Sequence, residues 1–128
     1  MKAAIIIAFL LGLLLGLVLR RFVSSADPVS DLKATFWVDC NYAGQSVSLG
    51  PGSYKDATAI GLPNDSLSSL KVPKGLRVEI YQDNDFKGKS KVYHAGAEPL
   101  EDPCLLYTKM QGSKKWNDQV SSIIIKAV

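Results

Sequence analysis

Two six-residue stretches carry the side chains best suited to hold a ligand. Residues 64–69 read Asn-Asp-Ser-Leu-Ser-Ser and residues 117–122 read Asn-Asp-Gln-Val-Ser-Ser, so both share the frame Asn-Asp-x-aliphatic-Ser-Ser. Each supplies one carboxylate, amide and hydroxyl oxygens, and turn carbonyls. Such hard oxygen ligands suit calcium rather than softer transition metals. The same residue types are also common turn formers, so a purely structural turn is the alternative.

An aromatic hairpin precedes each of these motifs. Residues 37–44 (Trp-Val-Asp-Cys-Asn-Tyr-Ala-Gly) and 81–88 (Tyr-Gln-Asp-Asn-Asp-Phe-Lys-Gly) both run aromatic, four residues, aromatic, one residue, glycine. A glycine in this place, Gly44 or Gly88, is expected where φ is positive or where backbone passes close by. The hairpins are 44 residues apart and the polar motifs 53, so the second half is nine residues longer. The same elements in the same order twice indicate an internal repeat.

Short strands separated by turns make up the rest of the chain after residue 26. Residues 76–81 (Leu-Arg-Val-Glu-Ile-Tyr) alternate apolar and polar, which is typical of a strand with one buried face. Further strands are predicted at 47–49, 70–72 and 123–125, with turns at 50–53, 62–65, 73–75 and 95–97. No long helical period occurs after Leu19. The sequence therefore predicts an all-β sandwich or barrel.

The N-terminus carries a targeting or membrane segment. Residues 3–19 are an unbroken apolar run of 17 residues, preceded by Lys2 and followed by Arg20 and Arg21. As a cleaved signal peptide it would use the small residues at 24–26 as its cleavage site. As a helix it would span roughly 26 Å, enough for a tether with the flanking cations at the interfaces. Both readings, a signal peptide or an N-terminal membrane anchor over residues 1–26, remain open, as does the orientation of an anchor.

Composition and charge exclude several function classes. At 128 residues, 47% hydrophobic and 21% charged, the chain is a folded protein of one domain and not a multidomain enzyme. The net charge of +3 comes from Lys2, Arg20 and Arg21, and 12 basic residues balance 12 acidic ones thereafter. Since the lysines and arginines of this part are scattered, no basic surface for nucleic acid is expected.

The cysteines and the single histidine show no pattern for zinc or for catalysis. Cys40 and Cys104 lack the short spacings of a zinc site, and His94 cannot complete a set of soft ligands. Nothing in the sequence brings His94 to either thiol, and we interpret it as a surface histidine on a strand. An even number of cysteines in an exported chain indicates one disulfide, with two free buried thiols as the alternative. We therefore expect that the protein is not an enzyme.

The repeat resembles a βγ-crystallin domain of the calcium-binding, microbial type. The likeness covers about residues 35–128 and includes residues 49–54 (Leu-Gly-Pro-Gly-Ser-Tyr), a segment that the family often carries after its second strand. It implies two Greek keys of four strands each, packed as a sandwich with pseudo-two-fold symmetry. The domain would then occupy residues 27–128, with the first key at about 35–73 and the second at about 76–128.

The resemblance also implies two calcium sites that exchange ligands between the keys. The first site would use the carbonyls of Val38 and Ser66, the hydroxyl of Ser68 and the carboxylate of Asp118. The second site would use the carbonyls of Gln82 and Gln119, the hydroxyl of Ser121 and the carboxylate of Asp65. With about four protein ligands and one carboxylate in each, water must complete the shell, and affinity on the order of 10⁻⁵ to 10⁻³ M is expected.

The nine extra residues of the second half depart from the family pattern and contain Cys104. If the first site joins the hairpin of Cys40 to the loop at 117–118, the connection leading into that loop lies beside Cys40. A Cys40–Cys104 disulfide follows as a hypothesis. Its 64-residue separation would contribute roughly 4 kcal/mol in the chain-entropy model.

The resemblance favours a non-catalytic module that calcium stabilises, exported or tethered to a membrane through residues 3–19 with the domain outside the cell. Two alternatives follow from the same likeness. One is a secreted protease inhibitor or toxin that makes contact through an exposed loop such as residues 97–113. The other is a calcium-dependent adhesion module, which the tether favours. The sequence names no protein partner.

Overall fold

A computed structural model describes residues 31–110 and 114–128 of the chain. Its strands are β1 (Ala34–Asp39), β2 (Ala43–Leu49), β3 (Gly52–Tyr54), β4 (Ser69–Val72), β5 (Leu76–Asp83), β6 (Lys87–Ala95), β7 (Leu100–Asp102) and β8 (Ser122–Ala127). The helical elements are a single turn, α1 (Ala57–Ile60), and two 3₁₀ turns, Asn84–Phe86 and Leu105–Tyr107. The predicted targeting segment at 1–26 lies outside these residues. Within the described ranges no helix has the length and apolarity needed to cross a membrane.

The strands form two antiparallel four-stranded sheets, in the orders β2-β1-β4-β7 and β3-β8-β5-β6. The third strand of each half leaves its own half: β3 pairs with β8, and β7 pairs with β4. In each half the fourth strand returns to lie beside the first, β4 beside β1 and β8 beside β5, which is the Greek-key arrangement that the resemblance implied. The two halves are joined through both sheets.

The core lies between the two sheets and is built by period-two alternation. On β5, Leu76, Val78 and Ile80 are fully buried and face Ile123 and Ile125 of the neighbouring strand β8. From the first sheet, Phe36 on β1 and Leu70 and Val72 on β4 enter the same core. Loop residues, Trp116 the largest of them, complete it. The alternation predicted for residues 76–81 is confirmed, because only a two-residue period places every second side chain on one face of a strand.

Both aromatic hairpins adopt the same strained backbone. Gly44 and Gly88 have φ of 78° and 77°, and two non-glycine residues before each glycine also have positive φ. A Cβ on Gly88 would lie 2.6 Å from Oδ2 of Asp83, so the glycine is needed for space as well as for conformation. The ring pairs Trp37–Tyr42 and Tyr81–Phe86 pack edge to face, with centroids 5.2 and 5.8 Å apart. The prediction for the hairpin glycines is confirmed.

Two local features differ from the sequence prediction. Gly52 and Ser53, predicted as part of a turn, belong to β3, which pairs with the centre of β8. The helix α1 was not predicted: the Asp56 side chain accepts a hydrogen bond from Ala59 N at 2.9 Å, and Gly61 ends the helix with φ of 91°. Both elements are too short to show a periodicity, and the pairing of β3 is a long-range contact.

Candidate metal sites

A β-bulge in each hairpin contains one of the residues whose carbonyl is a predicted ligand. Trp37 pairs with Ser46 and Asp39 with Ala43, so Val38 between them is passed over by the pairing of β1 with β2. Between β5 and β6 the same irregularity falls at Gln82. A bulge leaves one residue out of the regular pairing and bends the strand, so the carbonyl of that residue is available to bind a ligand.

The two aspartates lie on the surface in the left-handed region of the backbone. Asp65 and Asp118 have φ of 55° and 56°, and both are exposed. Aspartate tolerates this conformation better than most residues. The amide of Asn64 donates a hydrogen bond to Oδ2 of Asp65 at 3.2 Å. In both halves the left-handed aspartate thus places its carboxylate at the surface, and in the first half the neighbouring asparagine also bonds to it.

Each carboxylate reaches the serine of the other half. The Ser68 hydroxyl donates to Oδ1 of Asp118 at 3.3 Å, and the Ser121 hydroxyl donates to Oδ1 of Asp65 at 3.0 Å. Both serines are buried, at 4% and 6% exposure, while their partners face solvent. Residues far apart in sequence thus meet in two equivalent pairs, with the aspartate of one half beside the hydroxyl of the other.

The remaining predicted ligands are main-chain oxygens on the same segments. In the first site, Ser66 O lies 3.5 Å from the Ser68 hydroxyl, so three of the four predicted oxygens converge there. Ser68 N donates to Trp37 O and Ser121 N donates to Tyr81 O, both at 2.9 Å. These bonds hold the chain directly before Val38 and Gln82 against the serines. Direct contacts of the Val38, Gln82 and Gln119 carbonyls with the other ligands are not among the hydrogen bonds of the described residues.

The chemistry of these groups fits calcium better than a transition metal. Both sites offer oxygen atoms only, with one carboxylate apiece. Across the part of the chain that the structure describes, no three His, Cys, Asp or Glu side chains come together as a metal-binding group. A bound ion would therefore depend on hydroxyl and carbonyl oxygens and on water to complete its shell.

The second serine of each motif has a structural role that the sequence did not reveal. Ser69 and Ser122 are fully buried, and their hydroxyls donate to the carbonyls of Asp39 and Asp83 at 2.6 and 2.5 Å. In return they accept hydrogen bonds from the backbone N–H of the hairpin's second aromatic residue, at 3.1 and 3.0 Å. The identical serine at the same place in both motifs was the only signal available. Each motif is thereby fastened to its own hairpin.

Cys40 and Cys104 form the disulfide that was expected beside the first site, with Cα atoms 4.6 Å apart. The chain on both sides of it is hydrogen-bonded: Asn41 N donates to Pro103 O at 2.7 Å, and Leu105 N donates to Ser68 O at 2.7 Å. Because both thiols are consumed in this bond, neither can act as a nucleophile. His94 is exposed on β6, opposite Arg77.

A carboxylate next to the disulfide links the two sheets. Asp102 on β7 accepts hydrogen bonds from the Tyr93 hydroxyl at 2.8 Å, from the Thr108 hydroxyl at 2.5 Å and from Cys104 N at 3.2 Å. Burial, and then the hydrogen bond to Asp102, raise the pKa of the Tyr93 phenol far above its usual value. Tyr93 lies on β6 of the second sheet, so this contact joins the strands that the exchange of β7 brings together.

Comparison with known proteins gives a consistent assignment. No protein-family model matches the chain. Development-specific protein S of Myxococcus xanthus is 37% identical over 68 residues, a match that covers 52% of this chain and 39% of that protein. The aligned part thus spans well under half the length of this curated relative, and the same holds for a homologue from the same organism that is 35% identical.

Solved structures match over nearly their whole length. A βγ-crystallin domain from Flavobacterium johnsoniae is 36% identical with a TM-score of 0.60, covering 73% of this chain and 93% of that one. One from Clostridium beijerinckii is 34% identical with a TM-score of 0.60, covering 75% and 99%. The N-terminal domain of protein S is 32% identical with a TM-score of 0.57, covering 75% and 97%. The chain belongs to the βγ-crystallin family.

Proposed function

We propose that this protein is a non-enzymatic module that binds two calcium ions and is stabilised by them. The first ion would be held by the oxygens of the first site and the second ion by those of the second site. Six of the eight proposed ligands are uncharged hydroxyl or main-chain oxygens, each site has one carboxylate, and water would fill the remaining positions. Such sparse carboxylate ligation corresponds to dissociation constants on the order of 10⁻⁵ to 10⁻³ M.

The observation that carries this proposal is the reciprocal placement of Asp118 beside Ser68 and of Asp65 beside Ser121. A structural turn needs only contacts within its own loop, whereas both carboxylates here lie beside a buried hydroxyl of the other half. An ion bound in either place would tie the two Greek keys together. Because it would bind only the folded state, each site at a hundredfold excess of calcium over its dissociation constant would add about 2.7 kcal/mol of stability.

The proposal includes a location outside the cell, secreted or tethered through residues 3–19. β1 runs from Ala34 to Asp39 and ends at the first hairpin, so the described chain begins about 20 Å from the sites, at the opposite end of that strand. Leu32 lies there, beside Gly75 at the start of β5. A tether would therefore join the domain at the end opposite the proposed calcium sites.

A second candidate function is an inhibitor or toxin that acts through the loop between β7 and β8. Leu106 and Tyr107 in this loop are 49% and 79% exposed, although neighbouring Leu105 is fully buried. Two large side chains projecting from a segment fixed by the disulfide favour a contact with another protein. Inhibition of a protease panel by the wild-type protein, lost in Tyr107→Ala, would support this function. No inhibition of any protease class would argue against the inhibitor function and leave the calcium-binding module as the proposed function.

Calcium titration by calorimetry tests the leading proposal. We compare the wild-type protein with Asp65→Ala and Asp118→Ala, and with Glu98→Ala, which removes an exposed carboxylate outside both sites. The wild type and Glu98→Ala should bind two ions, and each aspartate variant should bind one. Absence of binding heat in the wild type, together with unchanged melting in calcium and in chelator, would show that the motifs are structural turns.

A further inference from the structure

The two hairpins make one equivalent contact with the other half of the molecule. Asn41 N donates to Pro103 O at 2.7 Å, and Asp85 N, 44 residues later, donates to Lys55 O at 2.9 Å. The residues next to these four positions are Cys40 and Cys104 at the first site but Asn84 and Asp56 at the second. The disulfide thus links Cys40 to Cys104 at the first site, whereas Asn84 and Asp56, the corresponding residues at the second site, have no covalent link.

The disulfide connects the hairpin of Val38 to a segment that is hydrogen-bonded to the other ligand loops of the first site. Cys40 follows Val38 by two residues on the bulged hairpin. Cys104 precedes Leu105, whose N–H donates to Ser68 O at 2.7 Å and whose carbonyl accepts from Asn117 N at 3.2 Å. Asp118 N then donates to Leu67 O at 3.1 Å. A continuous path of short contacts thus runs from the crosslink to the carboxylate.

The second site has no such path among the described residues. Asp56 uses its carboxylate to cap α1, and the turn that carries Asp65 is held by the Ser66 hydroxyl, which donates to Pro63 O at 2.6 Å. Hydrogen bonds equivalent to those of Leu105 N and Asp118 N are not found at positions 57 and 65. The Asp65 turn is thus closed by a hydrogen bond within its own half, while the backbone of the Asp118 loop is hydrogen-bonded to Leu67 in the motif of the other half.

We propose that the Cys40–Cys104 disulfide is a positioning element that makes the first site the tighter of the two calcium sites. This inference rests on the proposed function. Ordering a ligand segment costs conformational entropy at the moment of binding, and a crosslink removes that cost beforehand. Both sites use the same ligand types, so the difference in affinity comes from preorganisation. Reductive cleavage of the disulfide therefore weakens the first site and leaves the second nearly unchanged.

Single-site proteins test this directly. Asp65→Ala retains only the first site, and Asp118→Ala retains only the second. We titrate calcium into each by calorimetry, with the disulfide intact and with Cys40→Ala and Cys104→Ala added. Loss of the crosslink should weaken binding about tenfold in the Asp65→Ala protein and less than twofold in the Asp118→Ala protein. Equal weakening in both proteins, or none in the first, would overturn the proposal.

Two measurements keep the result interpretable. Far-UV circular dichroism in chelator reports whether each cysteine variant is folded. Where one is not, the disulfide is instead cleaved in sucrose, an osmolyte that favours the folded state, by a dithiol that gives two electrons and two protons to the bond and becomes a cyclic disulfide itself. The same affinity ratios are expected. If no protein binds calcium in either redox state, the proposed function fails; if both sites bind alike, only the positioning role fails.

Discussion

The two candidate calcium sites use the same six-residue motif, but the chain fastens them differently. At the first site a disulfide and three main-chain hydrogen bonds connect the hairpin, Ser68 and the loop of Asp118. At the second site the hairpin of Gln82 is bonded to the other half by Asp85 N, which donates to Lys55 O. The turn of Asp65 is closed by its own hydrogen bond, from the Ser66 hydroxyl to Pro63 O. Under the proposed function, the two sites would share their ligand types and would differ in how rigidly the connections outside the repeat hold those ligands.

The largest expected effect follows from removing the link that distinguishes the sites. Cys40→Ala combined with Cys104→Ala should lower the free energy of unfolding in chelator by about 4 kcal/mol, because a 64-residue separation is no longer closed in the unfolded chain. Urea denaturation measures it. Reduced wild-type protein is the control and should lose the same amount. A loss below about 1 kcal/mol would contradict the view that the crosslink organises this half of the molecule.

The loss of one calcium ion should have the next largest effect, and each site should contribute it separately. With calcium at a hundredfold excess over the dissociation constant of each site, the wild type should gain about 2.7 kcal/mol per site relative to chelator. Asp65→Ala and Asp118→Ala should each lose one of these two increments, and Glu98→Ala neither. Urea denaturation in both buffers provides the numbers. The full gain retained in either aspartate variant would break the assignment of that carboxylate.

The buried serines offer a matched test of the fastening. Ser69→Ala and Ser122→Ala each leave a hairpin N–H and carbonyl without their partner, so each should cost about 1–3 kcal/mol of stability. The local consequence should differ, because the first hairpin is also held by the disulfide. Amide hydrogen exchange should show Phe86 losing more protection in Ser122→Ala than Tyr42 loses in Ser69→Ala. Equal losses of protection would mean that the crosslink does not restrain its hairpin.

The smallest expected effect concerns the hydrogen bond between Tyr93 and Asp102. Tyr93→Phe should cost about 1 kcal/mol at neutral pH. Since the folded-state pKa of Tyr93 is raised above the unfolded value of 10.0, the contribution is complete below about pH 10 and falls as the pH rises toward the folded-state pKa. Unfolding free energies of both proteins from pH 7 to 11 give the difference. If the stability advantage of the wild type over Tyr93→Phe grew above pH 10, the raised pKa of Tyr93 in the folded state would be contradicted.

Much of this architecture could be predicted because the sequence repeats. The frame Asn-Asp-x-aliphatic-Ser-Ser and the aromatic hairpins located both polar turns, both hairpin glycines and the serines beside the carboxylates. The pairing of Asp118 with the first key and of Asp65 with the second came from the family resemblance. No local pattern in a single chain records which distant partner a turn will meet.

Other features left no readable trace in the sequence. The strands β3 and β7 have three residues each, too few for alternation, and their exchange between sheets is decided by long-range pairing. The second serine, Ser69 or Ser122, reads as the start of a strand, and only the folded hairpin shows its hydroxyl between a carbonyl and an N–H. Asp102 likewise looks like any surface aspartate until β6 brings Tyr93 to it.

In the proposed arrangement each calcium site takes its carboxylate from the opposite key. NMR spectra of ¹⁵N-labelled protein, recorded during calcium titration, test this most directly. In Asp118→Ala the calcium-induced shift of the Ser68 amide should disappear while that of Ser121 remains, and Asp65→Ala should show the reverse. Loss of the Ser121 shift in Asp118→Ala, with the Ser68 shift intact, would show that each motif binds calcium with its own aspartate and would contradict the exchange.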